Sequence, residues 1–489
     1  MRRHGAPRGG AVQETWVGAT AKQIARAVRR GDTSATQVVA DHLDHIASGD
    51  PVLTAFRVVR GGEAIVEAEK VDEQEDLANL PLAGVPVAVK ENTAVAGVPG
   101  WNGSAAARGP VAEDDHEVVR RLRGAGAVVL GVTRMPELGL WGTTDDQTGT
   151  TRNPWRTDRT PGGSSGGAAA AVAAGLVPFA HANDGFGSIR IPAACCGLVG
   201  IKPGRGVVPA GIGADDWYGM AEHGILATTV ADAAVGLAVL AGRRPDKLVE
   251  PQRLKVAVSL RSPVLGVRLD KPNRDAVATA SRLLVAAGHD AVSAEPVYPP
   301  SLGMRGLATW FAAACRDVES AGLDRAALQP RTRRHASLGA WALRRGYVRE
   351  ADRAAWRERS IDFFTDHGAD LMLTPALAAA PPKAEGWSGR SWRANMAANI
   401  RYAPYAAPWN LAGLPALVVP VGLRPDGLPV GVQLVGPPGS ELLLLAVAGQ
   451  FEMAAPWQRH APTWPRSGTS PGPGAERSAR IVPAPGAEA

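Results

Sequence analysis

The sequence predicts an α/β protein built on one large, mixed and largely parallel β-sheet. Helical patterns alternate with short apolar runs along most of its length, the order produced when helices pack against strands. Hydrophobic residues fill 45% and charged residues 20% of the 489 positions, a balance with which a soluble chain buries a large core. Between Thr160 and Pro203, two glycine-serine turns flank a small-residue helix and a short apolar run, a unit that the rest of the chain is expected to present.

Taken in order, residues 1–15 are expected to be disordered. Two helices follow, each opening on a capping box, Thr20 with Gln23 and Ser34 with Gln37. The second carries Val38, Val39, His42, Leu43 and Ile46 at helical spacing and is expected to end at Gly49. His42 and His45 stand three apart, a spacing that suits metal ligands. No third ligand accompanies them, so one surface and one core-edge histidine is the expectation. Residues 63–76 read as a charged helix, 82–89 as a strand running into Lys90, 115–123 as a helix and 127–131 as a strand. The Ala-rich helix 168–174 meets Gly175 where a left-handed C-cap belongs, and 176–180 reads as a buried strand before the loop 183–188.

From 245 to 382 the pattern changes. A strand at 254–258 precedes helical stretches around 275–287, 302–321 and 349–367, together read as a mainly helical insertion. Strands resume at 371–374, at 416–420 and, past the Asp426-Gly427 turn, at 430–435; a helix near 441–452 closes the fold. Residues 462–489 are rich in Pro, Gly, Ser and Arg and too poor in apolar residues to pack, so a disordered tail is expected.

The net charge of +6 comes from Arg and acidic residues interspersed almost everywhere. The densest basic segment, 331–349, reads as a solvated helix face, and no nucleic-acid partner is expected. The three cysteines, Cys195, Cys196 and Cys315, are odd in number and two are adjacent in an apolar run. That argues for a reducing, cytoplasmic setting, with Cys195 and Cys196 as small core residues. The basic N-terminus lacks the apolar segment of a signal peptide, and no stretch has the length of a membrane span.

The chemistry-bearing residues are few. Lys90 ends the apolar segment Val85-Pro86-Val87-Ala88-Val89, which leaves it either with its ammonium in water or buried as a base. An ordinary lysine needs about 5 kcal/mol to be neutral at pH 7, which burial must supply. Ser164 and Ser188 lie on the two glycine-rich loops, Gly162-Gly163-Ser164-Ser165-Gly166-Gly167 and Asn183-Asp184-Gly185-Phe186-Gly187-Ser188. Glycine there allows backbone N–H groups to converge on an oxyanion. One lysine and two serines make an acyl-transfer set: one serine attacks, the other relays a proton, and neutral lysine takes it.

These residues carry a resemblance. From about Thr20 to Trp457 the chain resembles the amidase signature family. The strongest points are the segment from Gly84 to Lys90, Asn153-Pro154-Trp155 with the glycine-serine loop, and the segment from Asp184 to Pro192; the stretches around Gly224-Ile225-Leu226-Ala227, Asn410 to Pro415 and Gly427 to Gln433 add support. The resemblance implies the amidase-signature fold, helices on both faces of the sheet, over residues 16–461. It implies a Ser–cis-Ser–Lys triad with Ser188 as nucleophile, Ser164 as relay after a cis peptide from Gly163, and Lys90 as base. The amides of Gly185, Phe186 and Gly187 would form the oxyanion hole, and Ser165, Asp184 and Arg190 would brace the loops. No metal or organic cofactor is implied. Phe186 stands where the family usually has glycine, Glu91 where it has Asp, and Thr228 where an Arg is common. Within the family, the run from Ala182 to Gly206 is similar to hydrolases of aminohexanoate oligomers.

The implied activity is hydrolysis of linear amides, and of esters by the same acyl-enzyme, on a small-molecule substrate with no membrane partner. Two alternatives stay open: a glutaminase-type subunit of a tRNA-dependent amidotransferase, and a non-catalytic binding protein keeping the fold. The oligomeric state is open, a homodimer being one arrangement allowed. Gly162 to Gly166 also fits the nucleophile elbow of α/β-hydrolases, but the polar segment before it, with Pro154, is no strand. No Gly-Lys-Ser/Thr follows the loop, which excludes a phosphate-binding P-loop. Trp101, Trp141, Trp155, Trp217 and Trp409 lie near the motifs; core packing is expected for most, with one or two lining an apolar acyl pocket.

Overall fold

The computed structural model describes residues 15–462 and residue 464; the segments expected to be disordered lie outside these, apart from residues 15, 462 and 464. Thirteen strands occur among them: β1 Phe56–Val59, β2 Pro86–Lys90, β3 Val128–Thr133, β4 Asp145–Asp146, β5 Gly149–Thr150, β6 Phe179–Asp184, β7 Val199–Lys202, β8 Glu222–Ala227, β9 Lys255–Val258, β10 Asp290–Ser293, β11 Leu371–Pro375, β12 Ala416–Leu423 and β13 Pro429–Val435. Apart from the β4–β5 ribbon they form one sheet in the order β1-β3-β2-β6-β8-β7-β12-β13-β11-β9-β10. The sheet is large and mixed. Its parallel pairings lie in two blocks, β3-β2-β6 and β11-β9-β10, and antiparallel pairings join the blocks and add β1.

Every residue of β2, β3, β6, β7, β8, β11 and β13 is buried. A strand buried on both faces needs cover on both faces, and helices supply it. Helices Gly166–Ala173 and Arg190–Cys196 pack together beside β6 and β7, while Val230–Leu240, which lies on β8, packs with Glu441–Ala454, which lies on β12. The stretch 245–382 holds the helices Lys271–Ala286, Pro300–Ser320, Pro330–Arg344 and Glu350–His367, and it also contributes β9, β10 and β11 to one end of the sheet.

Local signals set most boundaries. Thr20 and Gln23 form a complete capping box. Ser34 caps the Gln37 amide at 3.0 Å, but the Gln37 side chain turns to Asp41 instead. That second helix, Ala35–Leu53, runs past Gly49 to a left-handed Thr54. Gly49 is there for close packing: a Cβ would meet Leu176 at 3.0 Å and Trp464 at 3.1 Å. Both His42 and His45 are buried, contrary to the expected surface histidine. His42 Nδ1 bonds the Val38 carbonyl and His45 Nε2 the Ala174 carbonyl, and burial holds both rings below their usual pKa.

The strand expected at 176–180 is β6, shifted to Phe179–Asp184; Asn183 and Asp184 therefore belong to the strand, paired opposite His223 and Glu222. Leu176 and Val177 are buried in the preceding turn, and an apolar run does not by itself separate a buried turn from a strand. Arg331 departs from the solvated face expected of its segment. It is fully buried, 3.3 Å from Asp145, and lies over the Trp141 ring. Cys195, Cys196 and Cys315 are buried and free.

Candidate active site

The neighbouring parallel strands β2 and β6 end at the same edge of the sheet, and this brings the site together. Lys90 is the last residue of β2; Asn183 and Asp184 are the last of β6. The mouths of parallel strands are where open α/β sheets place ligands. The loop 160–165 lies against these ends, and its Gly163–Ser164 peptide is cis, as the resemblance implied. Gly163 has to be glycine, because a Cβ would run into the Trp141 carbonyl and the Gly142–Thr143 backbone. The second loop turns at Gly187, whose φ of +118° suits no other residue well.

Lys90 is 1% exposed, which decides between its two readings in favour of burial. Its Nζ lies 2.7 Å from Ser164 Oγ, 2.7 Å from Asn183 Oδ1 and 3.2 Å from the Asn183 carbonyl oxygen. Burial lowers its pKa to about 7, against the opposing pull of the Asp184 and Glu91 carboxylates. Beneath it, His181 Nδ1 accepts from the Lys90 amide at 3.4 Å and His181 Nε2 bonds His223 Nδ1 at 2.8 Å. Burial pushes both imidazoles down, so they add no positive charge there at neutral pH. Glu91, longer than the family's usual Asp, accepts from Arg57 Nε at 2.9 Å and from the Met135 amide at 2.7 Å.

Asp184 and Arg190 brace the loop that carries Ser188. Burial pushes the Asp184 carboxyl up, but the Arg190 guanidinium, with help from Lys202 and Asn410, holds it well below the usual range. Arg190 Nε and Nη2 donate to its two oxygens at 2.9 and 3.1 Å. The remaining Arg190 N–H groups reach Ala406 O, Gln433 Oε1 and Asn410 Oδ1. Asn410 and Gln433 come from the weaker family segments, which is the one signal that could have singled them out. Ser165 joins the loops: its amide donates to Ser188 O and its hydroxyl to Asn183 O, both at 3.2 Å.

One expectation is corrected. The Gly187 amide donates to Asp184 Oδ1 at 2.6 Å and is not free for an oxyanion. Gly185 and Phe186 keep their amides unengaged by any described residue, since the hydrogen bonds of this turn start at Gly187. Phe186 raises no backbone difficulty, for its φ is not positive. Its ring stacks on Trp310, centroids 5.1 Å apart and planes within 11°.

Ser188 and Phe186 line a cavity of about 830 Å³. Trp141 and Trp310 contribute to its wall with Leu302, Ile400 and Leu411, and among the described residues Arg261 is the only charged one lining it. Trp141 lies near the sequence motifs, whereas Trp310 comes from the distant helix Pro300–Ser320, where no motif marks it. Trp155 and Trp409 are buried in the core, and Trp217 is held by Asp317 at 2.8 Å. Among the described residues, no group of three or more His, Cys, Asp and Glu is arranged to hold a metal ion.

The family model for amidases matches residues 37–445, most of the chain. The chain belongs to the amidase family. This amidase is 40% identical to AmiB2 of Mycobacterium tuberculosis (strain ATCC 25618 / H37Rv) over 451 residues, covering 90% of this chain and 96% of that protein. It is 33% identical to the 6-aminohexanoate-cyclic-dimer hydrolase of Paenarthrobacter ureafaciens over 496 residues, 92% and 97% of the two chains. A solved 6-aminohexanoate cyclic dimer hydrolase complexed with substrate superposes with a TM-score of 0.80 at 30% identity, covering 90% of this chain and 97% of that one. The amidase is thus an amidohydrolase acting on C–N bonds, with the fold that its sequence implied. No helix among the described residues is long and apolar enough to cross a membrane.

Proposed function

We propose that this amidase cleaves amides with a bulky apolar acyl group through an acyl-enzyme on Ser188. The Ser188 Oγ attacks the carbonyl carbon while its proton passes to Ser164 and the Ser164 proton passes to Lys90 Nζ. The amides of Gly185 and Phe186 receive the oxyanion. The C–N bond then breaks, the amine leaves with the proton returned by the same relay, and water hydrolyses the Ser188 ester to release the acid. The observation that carries this reading is the hydrogen bond between buried Lys90 and Ser164 beside a cavity lined by Ser188. The transfer between Ser164 and Ser188 is part of the proposal.

The cavity argues for the substrate class. Among the described residues its wall is mostly apolar and offers no carboxylate for the ammonium of a free amino acid, which disfavours the glutaminase reading. In a series of linear N-acyl anilides, kcat/KM is expected to rise roughly fourfold per added methylene until the cavity is filled, as apolar burial predicts. Matching esters should follow the same trend, and glutamine should be a poor substrate. A flat series with preferred turnover of glutamine would contradict the proposal. Three free cysteines support a cytoplasmic location as part of the same reading.

The pH profile follows from the lysine. Only neutral Lys90 accepts a proton, and burial places its pKa at about 7. Amide kcat/KM should therefore fall tenfold per pH unit below about 7 and level off above it. A profile already level at pH 5 would remove Lys90 as the base.

A further inference from the structure

The environment of Lys90 Nζ contains more than the triad requires. Besides Ser164 Oγ it meets two acceptors, both from Asn183: the side-chain Oδ1 at 2.7 Å and the main-chain oxygen at 3.2 Å. Asn183 is itself held, its Nδ2 donating to Asn92 Oδ1 at 2.8 Å, while its carbonyl also accepts from Ser165 Oγ. It is buried and does not line the cavity.

We propose that Asn183 is a positioning residue that aims the lone pair of neutral Lys90 at Ser164. A neutral amine has two N–H bonds and one lone pair in tetrahedral array. Two carbonyl-type acceptors can only be donated to. When both amine N–H bonds point at Asn183, the remaining direction is the lone pair, and it faces Ser164 Oγ. Ser164 must then donate its hydrogen to Lys90, which leaves the lone pairs of its own oxygen open to the proton of Ser188. After transfer, the ammonium has three N–H groups for three acceptors already in place. Asn183 thereby sets the direction of the relay and receives its charged product with no rearrangement. Asn92 keeps the carboxamide from rotating its NH₂ group toward the amine. Without that lock the side chain could present a donor, and the lysine would have no fixed polarity.

The inference rests on Lys90 acting as the base, and two variants of Asn183 test it against that background. Asn183→Leu fills the space but offers no side-chain acceptor. Its kcat is expected to fall roughly 10- to 100-fold at every pH with KM little changed, a part of what general-base catalysis contributes. Asn183→Asp keeps an acceptor and adds a negative charge. Its acid limb should move up by about one unit or more, as an adjacent opposite charge does to a lysine. Above that limb its kcat should return to within a few-fold of the unsubstituted enzyme, a rescue that the Leu variant never shows. A merely structural role would lower stability without moving the limb. If the unsubstituted limb lies near neutrality and Lys90→Met is inactive, yet Asn183→Asp leaves the limb in place, the role of Asn183 is wrong and the triad stands. If Lys90→Met stays active, the triad reading itself fails. Should the Leu variant not fold, the limb of the Asp variant decides alone.

Discussion

Replacing Ser188 by Ala is expected to reduce amide turnover by roughly 10⁵-fold or more, the scale seen when a serine nucleophile is removed. The fold should survive, because the loop is held by other groups. Asp184 receives the Gly187 and Ile189 amides, and Ser188 itself ties to Ser165 through its main-chain oxygen. None of these contacts uses the Ser188 hydroxyl. The check is single-turnover kinetics on a purified variant whose thermal midpoint and circular dichroism match the parent. Residual activity within tenfold of the parent would mean that another group attacks the carbonyl.

The second large effect is at Lys90, where activity and stability should move in opposite directions. Lys90→Met keeps the length of the side chain and removes the proposed base, so kcat should fall by roughly 10²- to 10⁴-fold. The folded lysine has its pKa lowered from 10.5 to about 7 by burial. Between those values the unfolded chain holds a proton that the folded chain has released, so stability rises with pH across the window. What Lys90 allows is fully present above the unfolded value and lost as pH falls through the folded one. The shift of 10.5 to about 7 corresponds to something on the order of 5 kcal/mol across that span. Methionine carries no such dependence. The variant should be more stable than the parent at pH 7, and urea midpoints at pH 7 and pH 10 should differ less in the variant than in the parent. Equal pH dependence in the two proteins would place the Lys90 ammonium in a solvated setting.

Much of the site was legible because its residues sit at points where the chain must do something local. Lys90 ends an apolar strand, Ser164 and Ser188 ride on turns that only glycine allows, and Asp184 and Arg190 lie six positions apart across one of them. What stayed hidden depends on partners far along the chain. Arg331 looks solvated until Asp145, 186 positions away, neutralises it in the core. Gly49 looks like a helix end until Leu176 and Trp464 crowd it. Asn183 read as loop because its strand is extended by pairing with β8, and its grip on Lys90 spans 93 positions. A glycine-rich loop likewise does not tell which of its amides a neighbouring carboxylate has taken, and Asp184 took Gly187. The alternation of helix and strand was readable, but the antiparallel joints through the middle of the sheet are long-range pairings with no local signature.

The most direct measurement is to label the protein with a fluorophosphonate and locate the adduct by peptide mass spectrometry. One adduct is expected, on the peptide bearing Ser188, forming at a rate that drops below about pH 7 together with turnover. An adduct on Ser164 or Ser165, or labelling of Ser188→Ala at the parent's rate, would contradict the account.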